Sequence, residues 1–166
     1  MTVPVTVVVR PAHTSELPLV GDITAAAYAA DGLLVEDDPY VAHLRDAATR
    51  AREAELYVGL LGDEVAGTVT FCPEGSPWCE IAQPGEGEFR MLAVAPRSRR
   101  RGVAESLVGV CVERSRELGY HAVVLSSLAA QQAAHRIYQR LGFARVPDRD
   151  WSPHPGVDLM GFRLAL

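Results

Sequence analysis

No apolar run in this chain approaches the roughly 20 residues needed to span a bilayer. A membrane partner is therefore not expected. The amino terminus, Met1 to Arg10, has no basic region ahead of its short apolar run, and that run contains Pro4. It reads as a first strand and not as a cleaved leader, which points to a cytoplasmic protein. Cysteine is scarce. Cys72, Cys79 and Cys111 are odd in number and irregular in spacing, against both a disulfide framework and a zinc site. His13, His43, His121 and His154 lack a metal-like arrangement, so no metal is expected. A basic excess is missing too. The formal net charge is −5, where nucleic-acid binders usually carry positive charge, so no nucleic acid is expected. There is no Gly-x-x-x-x-Gly-Lys-Ser/Thr nucleotide loop. Repeats and low-complexity tracts are absent as well.

What is present suits one domain over residues 1–166, with 48% hydrophobic residues to fill a core. The most informative stretch runs from Val94 to Ala104. It ends an apolar run, turns at Pro96, gathers Arg97, Arg99, Arg100 and Arg101, and opens a helix on Gly102. A helix start carries unpaired N–H groups and partial positive charge, so it attracts anions. A glycine there lets a pyrophosphate approach the backbone. Arginine adds forked donors to phosphate oxygens. On an acidic background, such a local cluster favours a small anionic ligand over a polyanion.

The flanks complete the pattern. Glu88 to Val94 reads as a strand. Val103 to Leu118 carries Ala104, Leu107, Val108, Cys111 and Leu118 at helical spacing, and Gly119 is placed to stop that helix. The order strand, proline turn, Arg-x-x-Gly-x-Ala and amphipathic helix resembles motif A of the GNAT superfamily of N-acetyltransferases, filled here by Arg99, Gly102 and Ala104. A second landmark follows at Ala133 to Phe143, a helix with Ala and Tyr138 ending in Gly142-Phe143. The resemblance covers roughly Val5 to Leu166. It implies an α/β fold, with a mixed central sheet, two splayed parallel strands and about four flanking helices.

The resemblance also implies a chemistry. Acetyl-CoA would lie between the splayed strands Glu88–Val94 and Val123–Ser126. Its pantetheine arm would pair with backbone at Leu92, Ala93 and Val94, as an added strand does. The pyrophosphate would meet the amides of Arg99, Arg100, Arg101, Gly102, Val103 and Ala104. Gln131 stands where the family often has Asn, so an amide contact is kept on a longer arm. Tyr138 matches the tyrosine that protonates or solvates the departing thiolate; the plainer reading is a core tyrosine. Glu88 occupies a strand position used for the general base, with Glu86 in reserve and a bound water as third option; the plainer reading of Glu88 is a surface residue. Backbone N–H near Leu92 would polarise the thioester carbonyl. The expected reaction is direct acyl transfer to a small-molecule or peptide amine in a ternary complex. The alternative is a non-catalytic acyl-CoA-binding sensor or regulatory module. A homodimer is left open.

Elsewhere, Val5–Val9 reads as a strand and Leu17–Ala30 as a helix broken at Gly32. Asp37-Asp38-Pro39 starts a second helix running to about Glu53. Its Arg45, Asp46, Arg50, Arg52 and Glu53 read as a solvated face. Leu56–Leu61 and Val65–Phe71 form a hairpin. Cys72–Gly87 is a long Pro/Gly-rich loop of the functional kind. Val123–Ser126 is a strand, and Ala129–Leu141 is a helix with His135 on its surface. Phe143–Val146 and Val157–Leu166 are further strands. Glu36, Asp37, Asp38, Glu74, Glu80 and Asp150, with Tyr40, Trp78 and Trp151, would suit a cationic amine acceptor; the plainer reading is an ordinary acidic surface. Asp148 to Gly156 reads as an ordered loop at the rim of the acceptor pocket.

Overall fold

The computed structural model describes residues 4–166. The part of the first-strand reading that falls on Met1–Val3 lies outside them. The strands are β1 (Val7–Pro11), β2 (Glu55–Leu61), β3 (Glu64–Cys72), β4 (Glu86–Val94), β5 (Ala122–Leu128), β6 (Ala144–Arg145), β7 (Trp151–His154) and β8 (Val157–Ala165). The helices are α1 (Leu17–Ala30), α2 (Tyr40–Arg45), α3 (Ala47–Glu53), α4 (Val103–Glu117) and α5 (Gln132–Arg140). One mixed sheet runs β1-β2-β3-β4-β5-β8-β6, and β7 pairs with β8.

Two local differences from the sequence reading have clear causes. The single helix expected from Asp37 to Glu53 is two. Asp46 leaves helical conformation at ψ 62° and accepts the Thr49 N–H at 3.1 Å, so it caps α3 and ends α2. Pro39 is the N-cap of α2, and Asp38 just before it accepts the Tyr40 N–H at 3.0 Å. The rim loop holds the strand β7, folded back on β8 through Gly156 at φ 85°.

Two layers pack on the sheet. On one face α4 buries Val103, Leu107, Val108 and Cys111 against Val69, Phe71, Phe89, Val123 and Leu125. Each such side chain contributes about 1.5–3 kcal/mol through loss of apolar surface from water. The opposite face is covered by α1, α2 and α3, through Val20, Ile23 and Ala47 over β2, and through Ala25 and Leu44 beside Trp78 and Met91. The start of α4 comes unusually near the sheet. A Cβ on Gly67 would lie 2.8 Å from both the Ala93 carbonyl oxygen and Val103 Cγ1. That glycine lets the helix start sit against the end of β4.

Among the described residues, β4 and β5 are the only parallel neighbours, and they separate. Glu86↔Ala122, Gly87↔Val123 and Glu88↔Val124 pair; nothing beyond them does. Between the pairs Thr70↔Arg90 and Thr68↔Ala93, β4 carries two residues against one on β3. Met91 of that bulge sits at φ 52°. A bulge bends its strand and strengthens local twist, here just where β4 leaves β5.

Candidate active site

The opening between the strands is a cleft lined by Phe89, Arg90 and Leu92 of β4, Leu125, Ser126 and Ser127 of β5, Tyr28 of α1, and Gln131 and Tyr138 near α5. From Phe89 onward the β5-facing edge of β4 has no strand partner.

At the end of β4 the backbone forms a donor cradle. Arg100 at φ 64° and Gly102 at φ 80° are both left-handed. The first backbone donation of α4 runs from Ser106 N–H to the Gly102 carbonyl at 3.1 Å. Among the described residues, the amides of Arg99, Arg100, Arg101, Gly102, Val103 and Ala104 have no acceptor within the protein. A Cβ on Gly102 would meet nothing within 4 Å, so open space lies before these amides. Bare donors, positive helix charge and open space fit a phosphate group.

The arginine cluster is divided in its duties. The Arg99 fork grips Asp31 at 2.6 and 3.2 Å, tying the loop to the end of α1, while its amide stays in the cradle. Arg97 pairs with Glu64. Arg100 and Arg101 have no ion pair among the described residues and are the free cations.

Gln131 caps the other side of the cleft. Its Oε1 accepts from Ser127 Oγ at 2.9 Å and from the Leu128 N–H at 2.8 Å. The carbonyl end is thus consumed, leaving the amide NH2 as the free donor. His135 is not on the helix surface. It is buried, with Nε2 3.0 Å from Ser127 Oγ and its ring against Phe162. Because the Ser127 hydroxyl donates to Gln131, it accepts from His135. Burial pushes the His135 imidazole below its usual range.

The Tyr138 ring packs against Phe89, Phe143 and Phe162, with centroids 5.8–5.9 Å apart. Burial raises its phenol well above the ordinary value. The plainer sequence reading, a core tyrosine, and the cleft reading both hold: the ring is core and the residue lines the cleft.

The two carboxylates of β4 are not surface groups. Glu88 is fully buried and does not line the cleft. Its carboxylate accepts the N–H groups of Glu80, Ile81 and Ala82 at 2.8–3.1 Å, anchoring the long loop. Burial raises its pKa, and those N–H groups oppose the rise. Glu86 is gripped by Arg149 at 2.5 and 3.0 Å and by Arg163 at 2.9 Å. Burial pushes Glu86 upward, but hydrogen bonds from Arg149, the Gln83 amide and Arg163 outweigh it and hold it at about 2. It is a structural clamp and carries no free lone pair chemistry at neutral pH. Burial also raises the Cys72 thiol, and that of Cys79 to about 11, so neither is a ready nucleophile.

Two of the six acids read from sequence as an acceptor region are held in ion pairs. Glu80 binds Arg90 at 2.8 Å, and Asp150 binds Arg145 at 2.8 Å. Trp78 donates to Glu53 at 2.8 Å, and Trp151 to Ser126 Oγ at 3.1 Å. Arg50, read as solvated, is wholly buried. No sequence periodicity marked it, because α2 and α3 were read as one helix with a different facing.

A cleft between diverging parallel strands, ending at a bare helix start, offers room and backbone donors for an extended ligand that carries a phosphate group. The chain belongs to the acetyltransferase (GNAT) family, whose model matches residues 23–143. It is similar to the N-acetylaspartate synthetase of Danio rerio, 36% identical over 70 residues, covering 42% of this chain and 25% of that protein. It is also similar to N-acetyltransferase 8F1 of Rattus norvegicus, 30% identical over 96 residues, covering 57% of this chain and 41% of that protein. The chain thus spans between a quarter and two fifths of the length of these relatives. Its fold matches the ribosomal-protein-alanine N-acetyltransferase from Brucella melitensis, with TM-score 0.69, 19% identity and coverage of 96% of this chain and 99% of that one. A GNAT family acetyltransferase from Elizabethkingia anophelis with acetyl-CoA bound gives TM-score 0.68, 17% identity and coverage of 96% and 98%. Among the described residues no helix is long and apolar enough to cross a membrane.

Proposed function

We propose that this chain, as one domain, transfers acetyl from acetyl-CoA directly to a primary amine of a small molecule or peptide in a ternary complex. The observation that carries the reading is the opening of β4 from β5 beside Tyr138, in line with the bare amides at the start of α4. Acetyl-CoA supplies the activated thioester. The amides of Arg99 to Ala104, with Arg100 and Arg101, take the pyrophosphate. The free edge at Leu92, Ala93 and Val94 receives the pantetheine arm as an added strand, and the Gln131 amide donates to it.

Tyr138 acts at the leaving group. Its raised pKa keeps the phenol protonated at neutral pH, as an acid or hydrogen-bond donor toward a thiolate must be. The amine must be neutral to attack. Deprotonating an amine of pKa about 10.4 at pH 7 costs roughly 4–5 kcal/mol. Glu88 is the acceptor of that proton, reached through water because its carboxylate stands behind the cleft wall. Glu86 is excluded from the role by its two arginines.

Free-thiol release from acetyl-CoA over a panel of amines tests the function. Release supports transfer; binding of acetyl-CoA with no release from any amine supports the sensor reading. Tyr138→Phe keeps the ring packing and should lower kcat about a hundredfold with little change in the KM for acetyl-CoA. An unaltered kcat removes the acid role.

A further inference from the structure

The sheet face covered by α1, α2 and α3 contains three buried polar atoms with no partner among the described residues: Nε and Nη2 of Arg50 and Oγ1 of Thr70. Arg50, on α3, makes one hydrogen bond, from Nη1 to the His43 carbonyl at 3.0 Å, and has no ion pair. A fully buried arginine is almost never unpaired. Buried donors without acceptors ask for a missing one.

These atoms lie beside the cleft. Thr70 stands opposite Arg90 in the β3–β4 ladder, and Arg90 lines the cleft. Arg50 and Arg90 both act electrostatically on Tyr28, Tyr40 and His43. The aromatic rings form a continuous wall: Tyr28 to Tyr40 at 6.4 Å, Tyr40 to His43 at 5.3 Å, and His43 stacked on Trp78 at 4.9 Å. Arg90 lies over Trp78 at 5.4 Å. Arg90 has its ion pair in Glu80. Asp46 acts on Arg50 electrostatically but turns its carboxylate to the Thr49 amide. Arg50 is thus left without an ion pair, and its Nε and Nη2 without an acceptor among the described residues.

We propose that the amine acceptor carries a carboxylate, and that Arg50, with Arg90 and the Thr70 hydroxyl, supplies the counter-charge and donors that recognise it. This deepens the transferase reading and rests on it. It departs from the cationic-acceptor expectation, because Glu80, one of the acids that suggested it, is held by Arg90 while Arg50 has no ion pair among the described residues. Arg50 is enclosed behind the short helix α2, which it ties down at the His43 carbonyl. Seating the carboxylate therefore requires α2 to shift and that bond to yield.

The test uses the full chain and free-thiol release with matched acceptors: L-phenylalanine against phenethylamine, L-tyrosine against tyramine, and L-lysine against cadaverine. In at least one pair the carboxylate-bearing acceptor should have the larger kcat/KM, by about 30-fold or more, since a site with buried polar groups rejects an analogue that leaves them unpaired. In Arg50→Met, an unpaired buried charge is replaced by an apolar stem. The melting temperature should not fall, and the ratio should drop toward one. Arg90→Met should lower the same ratio and serves if the first variant does not fold. A wild-type ratio near or below one in every pair overturns the proposal while leaving transfer intact. A wild-type ratio retained in folded Arg50→Met also overturns it and leaves Arg50 as a structural group satisfied by buried water. Absence of release from all six amines, with acetyl-CoA still raising the melting temperature, removes the transferase reading itself and the proposal with it.

Discussion

The two sides of the cleft are built by different means. The side toward α4 is made of backbone: a free strand edge at Leu92–Val94 and bare amides from Arg99 to Ala104, all within thirteen consecutive positions. The opposite side is made of side chains: Tyr28 of α1 and Arg90 of β4 line the cleft, and Tyr40 and His43 of α2, Trp78 of the long loop and the buried Arg50 of α3 pack behind them. A backbone site needs only a conformation, which neighbouring residues dictate. A side-chain site needs the whole tertiary arrangement, and there single substitutions change what is recognised.

The largest effect should come from the clamp that holds both sides together. Glu86 sits where β4 and β5 still pair and joins β4 to Arg149 and to Arg163 of β8. Glu86→Gln leaves two guanidinium groups without their charge partner and should cost about 3–5 kcal/mol, lowering the melting temperature by roughly 6–20 °C for a chain of this size. The same group sets an acid limit. Its carboxyl is at about 2 in the fold against 4.5 in the open chain, so its stabilisation is complete above about pH 4.5 and is lost as pH falls toward 2. Melts across that range should show a smaller loss in Glu86→Gln than in wild type, the remainder coming from Glu16, Asp46 and Asp150, which are also lowered in the fold.

The backbone side can be broken alone. Acetyl-CoA at a hundredfold over its dissociation constant should add about 2.7 kcal/mol, a rise of roughly 5–10 °C. Gly102→Glu places a carboxylate in the phosphate space and a side chain at φ 80°, so the rise should vanish while the variant remains folded. A full rise in Gly102→Glu would mean the cradle is not where phosphate binds.

A smaller effect sharpens the acceptor side. Glu88→Gln should slow turnover roughly tenfold to a hundredfold near pH 6.5, and less near pH 9, where free amine is already plentiful. The pH profile separates a proton acceptor from a loop anchor. A uniform loss at all pH values, with a lowered melting temperature, assigns Glu88 to anchoring the Glu80–Ala82 amides alone.

Legibility in the sequence followed the same division. Helix α1 was read at its observed bounds, Leu17–Ala30, because its apolar spacing and the glycine beyond it are local signals. The start of α4 at Val103 was equally legible, since Pro96 and Gly102 act through their own dihedrals. The break at Asp46 was missed: an aspartate inside a charged stretch looks like surface until its carboxylate is seen on the Thr49 amide. With that break the facing of α3 changed, and Arg50 passed from solvent to the interior. His135 was missed for a related reason, because its neighbour Ser127 lies on a different element, eight positions away.

The sequence by itself determined most of the order of elements, the glycine-led helix start, and the presence of Tyr138 on α5 and two glutamates on β4, since periodicity, capping and left-handed turns are properties of short segments. Only the tertiary structure decided which charges are spent. Arg99 goes to Asp31, Glu86 to two arginines and Glu80 to Arg90, while Arg50 is left alone. Coulomb partners and burial depend on distance through space, and the chain acquires those distances only when the sheet closes between its two helical layers.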